Sequence, residues 1–118
     1  MNTTELQALI FLPNTPAGFA RLDLAPLSDT GTAVPIGVDL KAPSGTMFTS
    51  FEIFAPDNPV SRVIKLTLVQ PQTQYHFETR FRLGISQDVW LVAQLSDGRL
   101  MGDRAPTVLT SSACFDAS

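Results

Sequence analysis

From residue 20 onward the chain alternates apolar and polar side chains with a period of two. Val34, Ile36, Val38 and Leu40 alternate with Pro35, Gly37, Asp39 and Lys41. This is the pattern of a half-buried strand, with a proline suited to a sheet edge. Met47 to Ala55 alternates again, with Phe51 and Ile53 on one face and Ser50 and Glu52 on the other. Ile64, Leu66 and Leu68, opposed by Lys65 and Thr67, predict a third strand. In a fourth, Tyr75, Phe77, Phe81 and Leu83 share one face while His76, Glu78, Arg80 and Arg82 share the other. Val89, Leu91, Ala93 and Leu95 form a fifth. Ser96-Asp-Gly98 then signals a hairpin turn, Gly taking the positive φ such turns need. Arg99 to Met101 returns as a sixth strand, and Thr107 to Thr110 continues it or adds to it.

The opening differs. Thr3-Thr-Glu-Leu-Gln7 predicts one or two helical turns, with Thr3 or Thr4 as N-cap and Glu5 where negative charge suits the helix dipole. Pro13 and Pro16 stop that helix. Short strands separated by Pro, Gly and Asp turns, with no long helical pattern, define an all-β fold, an antiparallel β-sandwich. The expected organisation is an N-terminal segment (1–20), the sandwich (21–110) and a C-terminal arm (111–118).

The 118 residues make one domain, long enough for a core without metal or disulfide staples. At 44% hydrophobic and 16% charged, the composition excludes intrinsic disorder. A net charge of -3 gives no basic footprint for nucleic acid or an anionic membrane surface. The apolar run Ala8-Leu-Ile-Phe-Leu12 is far shorter than the ~20 residues of a membrane span. It also lacks the flanks of a secretory leader, so either the chain stays inside the cell or a leader has been removed.

Chemistry-bearing motifs are few. His76 is the only histidine and Cys114 the only cysteine. One of each cannot supply a zinc site, and an intrachain disulfide is impossible. There is no phosphate-binding glycine loop, dinucleotide fingerprint or calcium loop. No resident cofactor or metal is expected. His76 reads as part of a solvated strand face. Together with Arg80, Arg82 and Lys65 it reads alternatively as a positive docking patch for an acidic partner or an anionic group.

Large apolar groups also fall on the strand faces turned away from the core pattern. Trp90 and Val92 oppose Leu91 and Ala93, and Phe48 and Phe54 oppose Phe51 and Ile53. Two explanations stand. Phe48, Phe54, Trp90 and Val92 form a partner-binding surface, or a closely packed loop or the N-terminal segment covers them. Left uncovered, such a surface favours self-association, to which Cys114 can add an intermolecular disulfide.

Cys114 follows Thr110-Ser-Ser-Ala113 and precedes Phe115-Asp-Ala-Ser118, a small, polar terminal stretch. A structural cysteine usually sits inside an element as a small buried hydrophobe. A thiol on a terminal arm is either incidental or a group that can be delivered to another protein's active site. An unperturbed thiol is only a few per cent ionised at neutral pH, and no cation lies near it in sequence.

Several segments carry a family resemblance. Leu22-Asp-Leu-Ala-Pro-Leu-Ser-Asp-Thr-Gly-Thr-Ala-Val-Pro35 resembles an acidic loop leading to a Val-Pro strand. Ile53-Phe-Ala-Pro-Asp-Asn-Pro59 resembles an Asn-Pro turn after an apolar strand. Thr79-Arg-Phe-Arg-Leu83 and Val92-Ala-Gln-Leu-Ser-Asp-Gly-Arg-Leu100 carry the densest likeness. In order and spacing, ending in a near-terminal cysteine, they resemble SoxY, the sulfur-carrier subunit of bacterial thiosulfate oxidation.

The resemblance implies an immunoglobulin-like sandwich in the periplasm, paired with a second small sandwich subunit, SoxZ. It implies a substrate-bearing subunit without its own catalytic site, on which docking sulfur-oxidation enzymes attach, oxidise and release sulfur. Cys114 matches the attachment cysteine. The family's arm is typically Gly-Gly-Cys-Gly-Gly, whereas here Ala113 and Phe115 flank the thiol, as in the looser SoxYZ-like carriers associated with quinoprotein dehydrogenases. The alternative is a non-carrier interaction subunit of a periplasmic redox enzyme system.

Overall fold

The computed structural model describes residues 1–28 and 32–110. It contains α1 (Thr3–Gln7), β1 (Phe11–Leu12), β2 (Phe19–Leu24), β3 (Leu27–Ser28), β4 (Val34–Lys41), β5 (Phe48–Phe54), β6 (Arg62–Gln72), β7 (Gln74–Phe81), β8 (Gln87–Leu95) and β9 (Leu100–Leu109). The larger sheet runs β1-β9-β8-β5-β6, with β3 also on β9, and the smaller runs β2-β4-β7. The expected β-sandwich is what the chain forms. All long ladders are antiparallel, and the two-residue β1 and β3 add parallel pairings along β9.

The period-two positions supply the interior. Ala20, Leu22 and Leu24 of β2 and Val34, Ile36, Val38 and Leu40 of β4 bury against Phe51, Ile53, Val89, Leu91 and Ala93 of the larger sheet. Phe51 bridges the layers, its ring edge-on to Phe77 at 5.5 Å and tilted to Tyr75 at 6.3 Å. Strand β2 falls where the sequence reads as an acidic loop. Its Ala20-Arg21-Leu22-Asp23-Leu24 alternation is genuine but short, and prolines flank it. The stretches expected at Arg99–Met101 and Thr107–Thr110 fall at the two ends of one strand, β9, which runs in continuous register with β8 from Leu100 to Thr107.

The surface expected for a partner is inside the chain. Phe48, Phe54, Trp90 and Val92 are all buried, at 0%, 3%, 7% and 9% exposure. They are buried for two different reasons. Between Phe48 and Ser50, β5 carries an extra residue relative to β8. Such a bulge reverses the parity of the strand. Phe48 therefore joins Phe51 and Ile53 in the main core and does not share a face with Phe54.

Phe54, Trp90 and Val92 do lie on the far face of the larger sheet, where the N-terminal segment covers them. Leu6, fully buried, forms a second cluster with these three, and Leu9, Phe11 and Leu100 pack on it. The covering helix is capped by Asn2, not by Thr3 or Thr4. Asn2 Oδ1 accepts from the Glu5 N–H at 2.8 Å and Glu5 Oε1 accepts from the Asn2 N–H at 3.0 Å, a complete capping box. The N-terminal segment is thus held to the sandwich through Leu6, Leu9 and Phe11, and β2 begins within residues 1–20, at Phe19.

Gly102 allows that packing. A Cβ there would lie 2.6 Å from both the Leu91 carbonyl oxygen and Cε1 of Phe11. At the β8–β9 turn, Gly98 takes φ +88°, as the hairpin signal requires.

Candidate functional site

Cys114, the sulfur-attachment candidate, lies outside the described residues, as does the rest of the arm from residue 111. The structure does define where the body ends. Thr107 is buried, and its hydroxyl donates to the Ala25 carbonyl at 2.9 Å. The Val108 N–H donates to the Pro26 carbonyl at 2.8 Å and the Leu109 N–H to Ser86 Oγ at 2.8 Å. The Thr110 N–H and hydroxyl both donate to the Ser28 carbonyl, at 2.8 and 3.1 Å. The last turn of sequence before residue 111 is therefore tied on both sides, by the β2–β3 connection and by the loop carrying Ser86. Each satisfied bond here contributes about 0.5–1.5 kcal/mol. Together they hold the chain at a fixed exit point.

His76 stands on the outer face of the smaller sheet. Its Nδ1 lies 2.5 Å from Asp39 Oδ1 and its Nε2 lies 2.8 Å from Glu78 Oε2. Asp39 is its cross-strand partner on β4, and Glu78 is the next outward residue on β7. Two carboxylates can both accept only from the doubly protonated imidazolium. The hydrogen bond to Glu78, and then that to Asp39, accordingly raise the His76 pKa above 6.5. Arg21, opposite Asp39 on the other side, stacks on Phe19 with its guanidinium 3.9 Å from the ring centre. Buried Gly37 lies between Asp23 and Glu78 in register, in a depression of about 500 Å³.

This geometry disposes of His76 as a general base. Both ring nitrogens are engaged by carboxylates, so neither is aimed at a nucleophile. It also divides the expected positive patch. His76 is neutralised by Asp39 and Glu78 and Lys65 belongs to the other sheet opposite Glu52, whereas Arg80 and Arg82, at and just beyond the end of β7, border one groove. Among the described residues no group of three or more His, Cys, Asp or Glu side chains is placed to hold a metal ion. No helix among them is long and apolar enough to cross a membrane.

Sequence reasoning missed Asp39 and the anchors Thr107, Ser86 and Ser28. An outward aspartate or a loop serine carries no signal of its own. Their roles depend on strand register and on which loops meet at the end of β9.

A family model described as "Sulfur oxidation protein SoxY" matches residues 13–114. Among solved structures, the sulfur carrier protein SoxY from Chlorobium limicola f thiosulfatophilum superposes with a TM-score of 0.68 at 20% identity, over 91% of this chain and 90% of that one. Two variants of superoxide reductase (neelaredoxin) from Ignicoccus hospitalis are also similar in fold. They have TM-scores of 0.59 and 0.61 at 8% and 9% identity, over 80% and 79% of this chain and 82% and 81% of theirs. No curated protein matches the chain.

Proposed function

The chain belongs to the SoxY family of sulfur-oxidation proteins, and on that premise we propose that it carries sulfur intermediates covalently on Cys114. The observation that carries this reading is the extent of the family match, which spans the sandwich and runs up to Cys114 itself. The exit of β9 supports it. Three residues lie between Thr110 and Cys114, so the Cys114 Cα can be no more than about 14 Å from a point hydrogen-bonded to the body.

The chemistry suits a carrier. Attachment of thiosulfate joins the thiol sulfur to the sulfane sulfur, releasing one proton and two electrons. Those electrons go to a docking oxidoreductase, which also supplies the activation that an unperturbed thiol lacks. In this reading the chain bears the substrate and other enzymes of the system transform it. It works in the periplasm, in complex with a SoxZ-like sandwich subunit. Phe115 beside the thiol calls for a docking channel wider than one built for glycine on both sides.

Intact-mass measurement tests this. Wild type and Cys114→Ser are purified without reductant from cells oxidising reduced sulfur, then remeasured after dithiothreitol. Sulfur-atom or thiosulfate-sized adducts on the wild type alone, removed by the reductant, are expected. A clean wild-type mass with a freely alkylated Cys114 would replace the carrier with a non-carrier interaction subunit.

A further inference from the structure

The sandwich is closed on one long side and open on the other. Strand β6 pairs only with β5 and β7 only with β4, so each forms an edge of its sheet. The two edges lie on the same side, because Thr73 alone links them. Along this side the interior is not sealed. Val63, Ile64, Leu66 and Leu68 of β6 and Tyr75 and Phe77 of β7 are only partly buried, although all six pack against the main core. Their gap widens into a groove of about 720 Å³ between the start of β6 and the end of β7, with Val60 71% exposed on its rim.

Arg62, Arg80 and Arg82 also border that groove. Arg62 pairs with Glu52 at 3.4 Å. The side chains of Arg80 and Arg82 have no hydrogen-bond or ion-pair partner among the described residues. On a chain of net charge -3, this is an apolar trough bordered by uncompensated positive charge. Edge strands leave a row of N–H and C=O groups free to pair with another chain. Natural sheets blunt such edges, yet β6 runs for eleven residues, with Lys65 and Pro71 as its conventional protection.

We propose that an extended, acidic strand of the second subunit docks along this β6–β7 seam. Its backbone pairs with a free edge, its apolar side chains fill the trough, and its carboxylates meet Arg80 and Arg82. The inference rests on the two-subunit reading above. It replaces Phe54, Trp90 and Val92, which Leu6 already covers, as the partner surface. Charge selects the occupant, since a second copy of this acidic chain would bring the same arginines to its own seam in a two-fold contact.

Backbone hydrogen exchange tests this on the chain alone and mixed with the SoxZ-family subunit, beside wild-type and Arg80→Glu/Arg82→Glu affinities. Slower exchange across residues 62–68 and 75–82 on mixing is expected. So is at least tenfold weaker binding by the double variant, at an unchanged melting temperature. A complex that forms with protection elsewhere and with undiminished affinity of the variant overturns the seam but leaves the two-subunit reading standing. Failure to form any complex overturns that reading and the seam with it. Protection of the seam in the chain alone, rising with its own concentration, makes the occupant a second copy and overturns the assignment to a partner.

Discussion

Leu6 and Trp90, 84 residues apart in sequence, share one buried cluster on the face of the larger sheet opposite the main core. A five-residue helix, too short to persist by itself in water, is held there by its capping box and by this single fully buried side chain. The same contact that stabilises the helix removes Trp90 from the protein's interaction surface.

Truncating Leu6 to Ala should cost about 2–4 kcal/mol, since the side chain is fully buried and the site leaves a cavity. Trp90 is the only tryptophan, so its emission reports the cover directly. We expect a red shift in the native state and a lower urea midpoint. Unchanged emission and midpoint together would show that the helix does not cover Trp90 in solution.

Gly102→Ala should destabilise by about 1–3 kcal/mol through overpacking. One clash is with the Phe11 ring and the other with the Leu91 carbonyl. A ring can be removed and a backbone oxygen cannot. Adding Phe11→Ala should therefore fail to restore the wild-type melting temperature. Full recovery in the double variant would place the whole strain on Phe11.

The His76 ion pairs have a pH dependence of defined sign. The folded-state pKa is raised above 6.5 by Glu78 and Asp39. Their stabilising effect is therefore complete below the unfolded value and is lost as pH rises through the raised native value. His76 being the only histidine, one imidazole resonance reports the titration. Its midpoint should lie above 6.5 and fall in Asp39→Asn and in Glu78→Gln. A wild-type midpoint at or below 6.5 contradicts the double ion pair.

Thr107→Val should cost about 0.5–1.5 kcal/mol, because the buried Thr107 loses its part-buried hydroxyl bond to the Ala25 carbonyl. The loss is local to the exit of β9. Amide exchange should quicken at Val108 and Thr110, which donate to Pro26 and Ser28, more than at Val92 in the middle of β8. Uniform quickening across the sheet would mean that Thr107 supports the sandwich as a whole.

Strand positions were legible where a side chain's fate depends on its immediate neighbours. The alternation at Val34–Lys41 and Val89–Leu95 identifies strands because a pleated backbone turns successive side chains to opposite faces. Ser96-Asp-Gly98 identifies a turn because glycine accepts positive φ. Parity failed at Phe48, where one extra residue in β5 turned the side chain to the other face. No local pattern announces such a bulge, since it is defined only by a partner strand.

The family, the sandwich and the near-terminal thiol are thus properties of the sequence itself, since composition, periodicity and residue order are local to the chain. Tertiary structure alone decided that Leu6 lies over Trp90, that Asp39 reaches His76, and that β6 and β7 both end as open edges on one side. Each of these depends on register and on the packing of segments far apart in sequence. Those quantities are set by the summed burial of many side chains, and no single residue or short motif encodes them.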